Sequence, residues 1–121
     1  MDPHFIIALF HIVAVVPFLG YVFVNRAATP EYLYNILFFV GIFVLIYHAY
    51  KAAIRIKNGS ALLWISLIHV LIFAPLMIYI GYMSKKTPRS AYELLGLITF
   101  AALGYHLYSL VLLTQVIKEE D

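Results

Sequence analysis

The chain has 121 residues, of which 64% are hydrophobic and 12% charged, with a mean hydropathy of +0.95. Soluble domains carry about 25% charged residues, so an ordinary soluble globule is excluded. Eight Lys/Arg against six Asp/Glu leave a formal charge of +2, too weak and dispersed for a nucleic-acid partner. The absence of cysteine excludes disulfides, thiolate metal sites and cysteine nucleophiles.

About 20 apolar residues cross a bilayer core as a helix, and four such runs follow one another. Asp2-Pro3 predicts an N-cap and a first-turn proline, opening a span over about 4–25 that stops at Asn25-Arg26. It lacks a basic n-region and is read as a permanent span rather than a signal peptide. Thr29-Pro30-Glu31 repeats the start logic and opens a span over 30–57, stopped by Asn58-Gly59 with Ser60 as the next cap. The third span covers 61–83 and ends at Ser84-Lys85-Lys86. Thr87-Pro88 opens the fourth, over 88–117, before a charged tail from Lys118.

Short connections make consecutive spans antiparallel neighbours. The expected fold is therefore all-α, a single membrane domain forming an integral membrane four-helix bundle with both termini on one side. Lys51, Arg55, Lys57 and Lys118 fall on that side, and Arg26, Lys85, Lys86 and Arg89 on the other. Four against four leaves the orientation open.

Shifted by 58 residues, the sequence aligns with itself without a gap. His11 falls on His69, Pro17 on Pro75, Tyr21 on Tyr79, Thr29-Pro30 on Thr87-Pro88 and Tyr34 on Tyr92. Tyr47-His48-x-Tyr50 falls on Tyr105-His106-x-Tyr108. Shared apolar composition does not align His, Pro, Thr and Tyr in one register. The pattern predicts duplication of a two-helix unit, repeat one over 2–59 and repeat two over 60–117. Two spans per unit return the chain to its starting side, so the two tandem hairpins run parallel about a pseudo-twofold axis along the membrane normal. Pro17 and Pro75 predict helix kinks.

Four histidines carry the chemistry. His11 lies about 12 Å into its helix at 1.5 Å per residue, and His48, on the returning helix, comes to a similar depth. His69 and His106 repeat the arrangement, while His4 lies at the interface. Tyr34, Gly41 and His48, and likewise Tyr92, Thr99 and His106, recur at seven-residue steps and so share a face. A His/Tyr layer with Tyr47, Tyr50, Tyr105 and Tyr108 is expected toward the termini. A layer of Tyr21, Tyr79, Tyr34 and Tyr92 is expected toward the loops.

Ionisable groups in a membrane normally face a bundle interior or a wet cavity. Three functional readings follow. A symmetric pair, His48 with His106 or His11 with His69, would ligate haem b through its iron. The four imidazoles together would bind a transition metal. Or histidines and tyrosines would relay protons, since imidazole titrates near neutral pH. The alternative is a structural membrane subunit whose histidines hydrogen-bond across helices and hold no ligand. None of these readings is an enzyme, and an electron-carrier role stays open with the haem. The partners are the lipid bilayer and either further copies of the chain or a larger membrane assembly.

In size and four-span plan the chain resembles the small multidrug exporters, but the embedded glutamate of their first helix is missing, so their function is not carried over. There is no Gly-rich phosphate loop and no HExxH. The segments FHIVAVVP, TPEYLYN, YHAYK, LIHVLIFAPLMIYIGY, KKTPRSAYELL and GYHLY resemble small uncharacterised four-span membrane proteins of large eukaryotic DNA viruses. That resemblance covers nearly the whole chain. It implies a viral or host-derived membrane and assigns no site residue.

Overall fold

The computed structural model describes residues 3–120, with side chains to 113. The described residues are all-helical, without strands. Four helices are long and apolar enough to cross a membrane: α1 Pro3–Ala28, α2 Glu31–Lys57, α3 Leu63–Lys86 and α4, whose apolar part is Arg89–Leu113 and whose helix continues to Glu120. The expected tail after Ile117 is thus part of α4, because Lys and Glu are good helix formers and no Gly or Pro interrupts them. The expected cap Asp2 lies outside the described residues.

The stop at Asn58-Gly59 forms as predicted. Gly59 takes φ +61°, its N–H bonds the Ile56 carbonyl at 3.2 Å, and the Ser60 N–H bonds the Arg55 carbonyl at 2.9 Å. These two bonds are a Schellman closure, which needs a left-handed residue at that point. Ser60 is not the cap expected of it: its hydroxyl accepts the Leu62 N–H at 3.1 Å within the turn, and α3 starts at Leu63 after an N-cap, Leu62, that makes no side-chain bond. The two Thr-Pro starts differ from expectation. Neither the Thr29 side chain nor any other caps α2. The Thr87 hydroxyl turns backward instead, donating to the Ser84 carbonyl at 2.6 Å and, more distantly, to Ile80 at 3.3 Å. A preceding turn that folds back over the helix end offers carbonyls closer than the forward amides.

The sequence repeat has counterparts in the backbone at the same offset. Each of α1 and α3 contains one π-helical turn, His11–Val15 and His69–Phe73, closed by Val16 N–H to His11 and Ala74 N–H to His69. Each turn ends two residues before the predicted kink proline, Pro17 or Pro75. A proline removes an amide and crowds the carbonyl four residues back, and a widened turn relieves both. Each helix ends in a 3₁₀ turn, Arg26–Ala28 or Ser84–Lys86, whose first residue has positive φ: Arg26 at 48° and Ser84 at 55°.

The chain divides into two compact units that cut across the repeats. One holds the residues up to Val24 together with Glu93 onward; the other holds Asn25–Tyr92. In the second unit α2 packs on α3 through Tyr34, Leu37 and Gly41 against Ala74, Met77 and Ile80. Glycine permits that approach. A Cβ on Gly81 would lie 2.5 Å from the Phe38 nitrogen, and one on Gly41 would lie 3.0 Å from the Ile78 nitrogen. In the first unit Leu19 and Val22 of α1 and Leu95, Ile98 and Thr99 of α4 are buried, and Gly96 receives the Phe23 ring. Phe39, Phe43, Ile46, Leu71, Leu97 and Phe100 point outward, a surface suited to hydrocarbon.

Candidate functional site

The four sequence-predicted histidines form two stacked pairs. In the second unit the His48 and His69 rings lie 4.0 Å apart between centroids, inclined by 15°. In the first unit His11 and His106 lie 4.2 Å apart, inclined by 22°. Moving 58 residues along the chain turns His48 into His106, while His69 corresponds to His11. The two pairs are therefore one arrangement built twice, each with one ring from each repeat.

Their surroundings repeat as well. His11 Nδ1 donates to the Ile7 carbonyl at 2.7 Å, and His69 Nδ1 to the Ile65 carbonyl at 2.6 Å. A carbonyl only accepts, so Nδ1 carries the hydrogen and the neutral ring keeps Nε2 as an acceptor. Both histidines open the π-helical turn of their helix. Tyr47 stands edge-on to His48 at 5.1 Å, and Tyr105 edge-on to His106 at 5.3 Å. Tyr50 and Tyr108 point outward at the same 63% exposure, in the manner of interfacial tyrosines. Tyr21 and Tyr79 are exposed too.

The rings that meet within each unit are His48 with His69 and His11 with His106. Among the described residues no group of three or more His, Asp or Glu is placed to hold a metal ion. Axial haem ligation sets two imidazoles on opposite faces of a porphyrin with their nitrogens aimed at the iron. The stacked rings within each unit do not have that form, while the pairs His48 with His106 and His11 with His69 each draw their members from different units.

No family model, curated protein or solved structure matches this chain. Function is therefore argued from the site itself.

A second polar group lies at the loop end of the second unit. Tyr34 is fully buried and Tyr92 nearly so, and their hydroxyl oxygens are 2.6 Å apart. Tyr34 donates to the Arg26 carbonyl at 2.7 Å. The Ser84 hydroxyl donates to the Glu31 carboxylate at 2.6 Å, and Lys85 Nζ donates to the Ala27 and Thr29 carbonyls at 2.9 and 3.0 Å. Toward the other end, Arg55 donates to the buried Ser66 hydroxyl at 2.7 Å. The two tyrosines were legible as candidates. The turn carbonyls at Arg26 and Ser84 were not recognised as what these tyrosines address.

Proposed function

We propose that the chain is a multi-pass membrane protein of two tandem hairpins, related by a pseudo-twofold axis along the membrane normal, with both termini on one side. Its paired imidazoles hold and pass protons within the bilayer. The observation that carries this reading is the duplicated stack, in which a ring with its Nδ1–H committed to a carbonyl lies against a second ring at about 4 Å. An imidazole both gives and takes a proton, so two in contact at this spacing supply adjacent proton sites, which packing alone does not call for. On its resemblance, we place the protein in a viral or host-derived membrane.

The test is proton flux into liposomes holding a pH-sensitive dye, driven by a potassium diffusion potential. The wild-type chain acidifies the lumen faster than protein-free vesicles, and the quadruple His→Gln variant at positions 11, 48, 69 and 106 does not. Equal flux in wild type and variant overturns the reading. One observation favours a second role: the Nδ1–H to carbonyl bonds bind each ring to its own helix beside the π-helical turn. If that anchoring is the whole purpose, the protein is a structural subunit, and the His→Gln variants lose stability while wild-type vesicles stay proton-tight.

A further inference from the structure

The loop-end tyrosines carry an inference independent of the histidines. Tyr34 and Tyr92 are repeat counterparts and touch each other, so a local twofold passes between their hydroxyls. The turns they address, at Arg26 and Ser84, are counterparts too. Only one hydrogen can lie between two hydroxyl oxygens, so a bond across a twofold cannot itself be symmetric. One tyrosine must donate inward and the other outward.

The structure shows one of these choices. Tyr34 donates outward to the Arg26 carbonyl at 2.7 Å and accepts from Tyr92. Tyr92 then stands 3.4 Å from the Ser84 carbonyl, which is taken at 2.6 Å by the Thr87 hydroxyl. The counterpart Thr29 hydroxyl is fully buried and does not hold the Arg26 carbonyl, which Tyr34 occupies. In the mirror arrangement Tyr92 donates to Ser84, Tyr34 to Tyr92 and Thr29 to Arg26, leaving Thr87 with the more distant Ile80 carbonyl. The two arrangements exchange the same tyrosine and threonine bonds between the two turns.

We propose that Tyr34, Tyr92, Thr29 and Thr87 form a two-position hydrogen-bond switch, which alternates the turn held by its own tyrosine between Arg26–Ala28 and Ser84–Lys86. No proton leaves its oxygen, since each hydroxyl only rotates about its C–O bond while the two phenol rings shift slightly. Two positive-φ turns joined through one buried bond move in opposition: as one tightens, the other loosens.

The experiment is nuclear magnetic resonance of the full chain in detergent, with amide signals of Thr29 and Thr87 as reporters and relaxation dispersion to detect exchange. Wild type shows two exchanging states at both threonines. Thr29→Val removes the hydroxyl that competes for the Arg26 carbonyl only in the mirror and so enriches the observed arrangement; Thr87→Val frees the Ser84 carbonyl and enriches the mirror. With one net hydrogen bond worth about 1 kcal/mol, each population ratio shifts about fivefold, in opposite directions. Tyr92→Phe and Tyr34→Phe reproduce these two end states. A single state without exchange in wild type, or shifts of the same sign in both threonine variants, overturns the proposal.

Discussion

At Gly81 an added methyl would meet the backbone nitrogen and Cα of Phe38 at 2.5 and 2.7 Å, atoms that cannot yield without parting α2 from α3. Gly104 has nothing within 4 Å of the same position. The two alanine variants should therefore separate cleanly in thermal unfolding of the detergent-solubilised protein. Gly81→Ala should lose about 1–3 kcal/mol by overpacking, and Gly104→Ala should be neutral or gain up to about 1 kcal/mol from helix propensity. Gly59 adds a third case, also without a neighbour within 4 Å but at φ +61°. Alanine there should cost about 1–2 kcal/mol from backbone conformation alone. Of these positions only Gly59 was legible from the sequence, since Asn58-Gly59 after an apolar run is a local signal. The role of Gly81 depends on which helix comes to lie against it, which no local pattern encodes.

The π-helical turns hold one residue more than an α-helical path between the same points, and this gives α1 and α3 an unusual tolerance. Val13 and Leu71 occupy equivalent places in the two turns and both point outward. Deleting either should let the turn close as α-helix while both flanks keep their faces. Such variants should remain folded and monodisperse, with a modestly lower melting temperature. Deleting Phe43 from the regular α2 rotates everything beyond it by about 100°, carries His48 away from His69, and should abolish folding. Circular dichroism melts with size-exclusion profiles distinguish the outcomes. The sequence marked these places through Pro17 and Pro75 as kinks. The turn type was hidden because a proline is accommodated equally by a bend, a lost bond or a widened turn, and packing chooses among them. The Thr-Pro starts were misjudged for a similar reason: Thr87 had a carbonyl of the preceding turn within reach, and reach is a tertiary property.

For the molecule as a whole, hydropathy and short connections suffice to delimit four spans, because hydrocarbon thickness is an external ruler applied to every run. The balance of basic residues leaves orientation open, yet sidedness is still testable. The chain has no cysteine, so single replacements report without background. Ala27→Cys and Lys86→Cys should react with an impermeant maleimide to the same extent in sealed vesicles, and Asn58→Cys to the complementary extent, whatever mixture of orientations is present. Unequal labelling at 27 and 86 would remove the antiparallel plan. The offset of 58 residues was likewise legible, since His, Pro and Tyr recur in register. The partners within the site were not. Counterparts look like natural mates in an alignment, and Tyr34 and Tyr92 do meet, but the imidazoles pair crosswise.

That crosswise pairing bears on ancestry. On the duplication we propose, a lone hairpin would carry one ring of each kind but complete neither stack by the contacts seen here, and would depend on encounters between separate chains diluted in a membrane. Fusion would replace a collision that depends on abundance with a tethered one, whose effective concentration is set by the short link at Asn58–Ser60. Tethered copies are also free to differ, and Glu31 and Arg89 stand at equivalent positions with opposite charges.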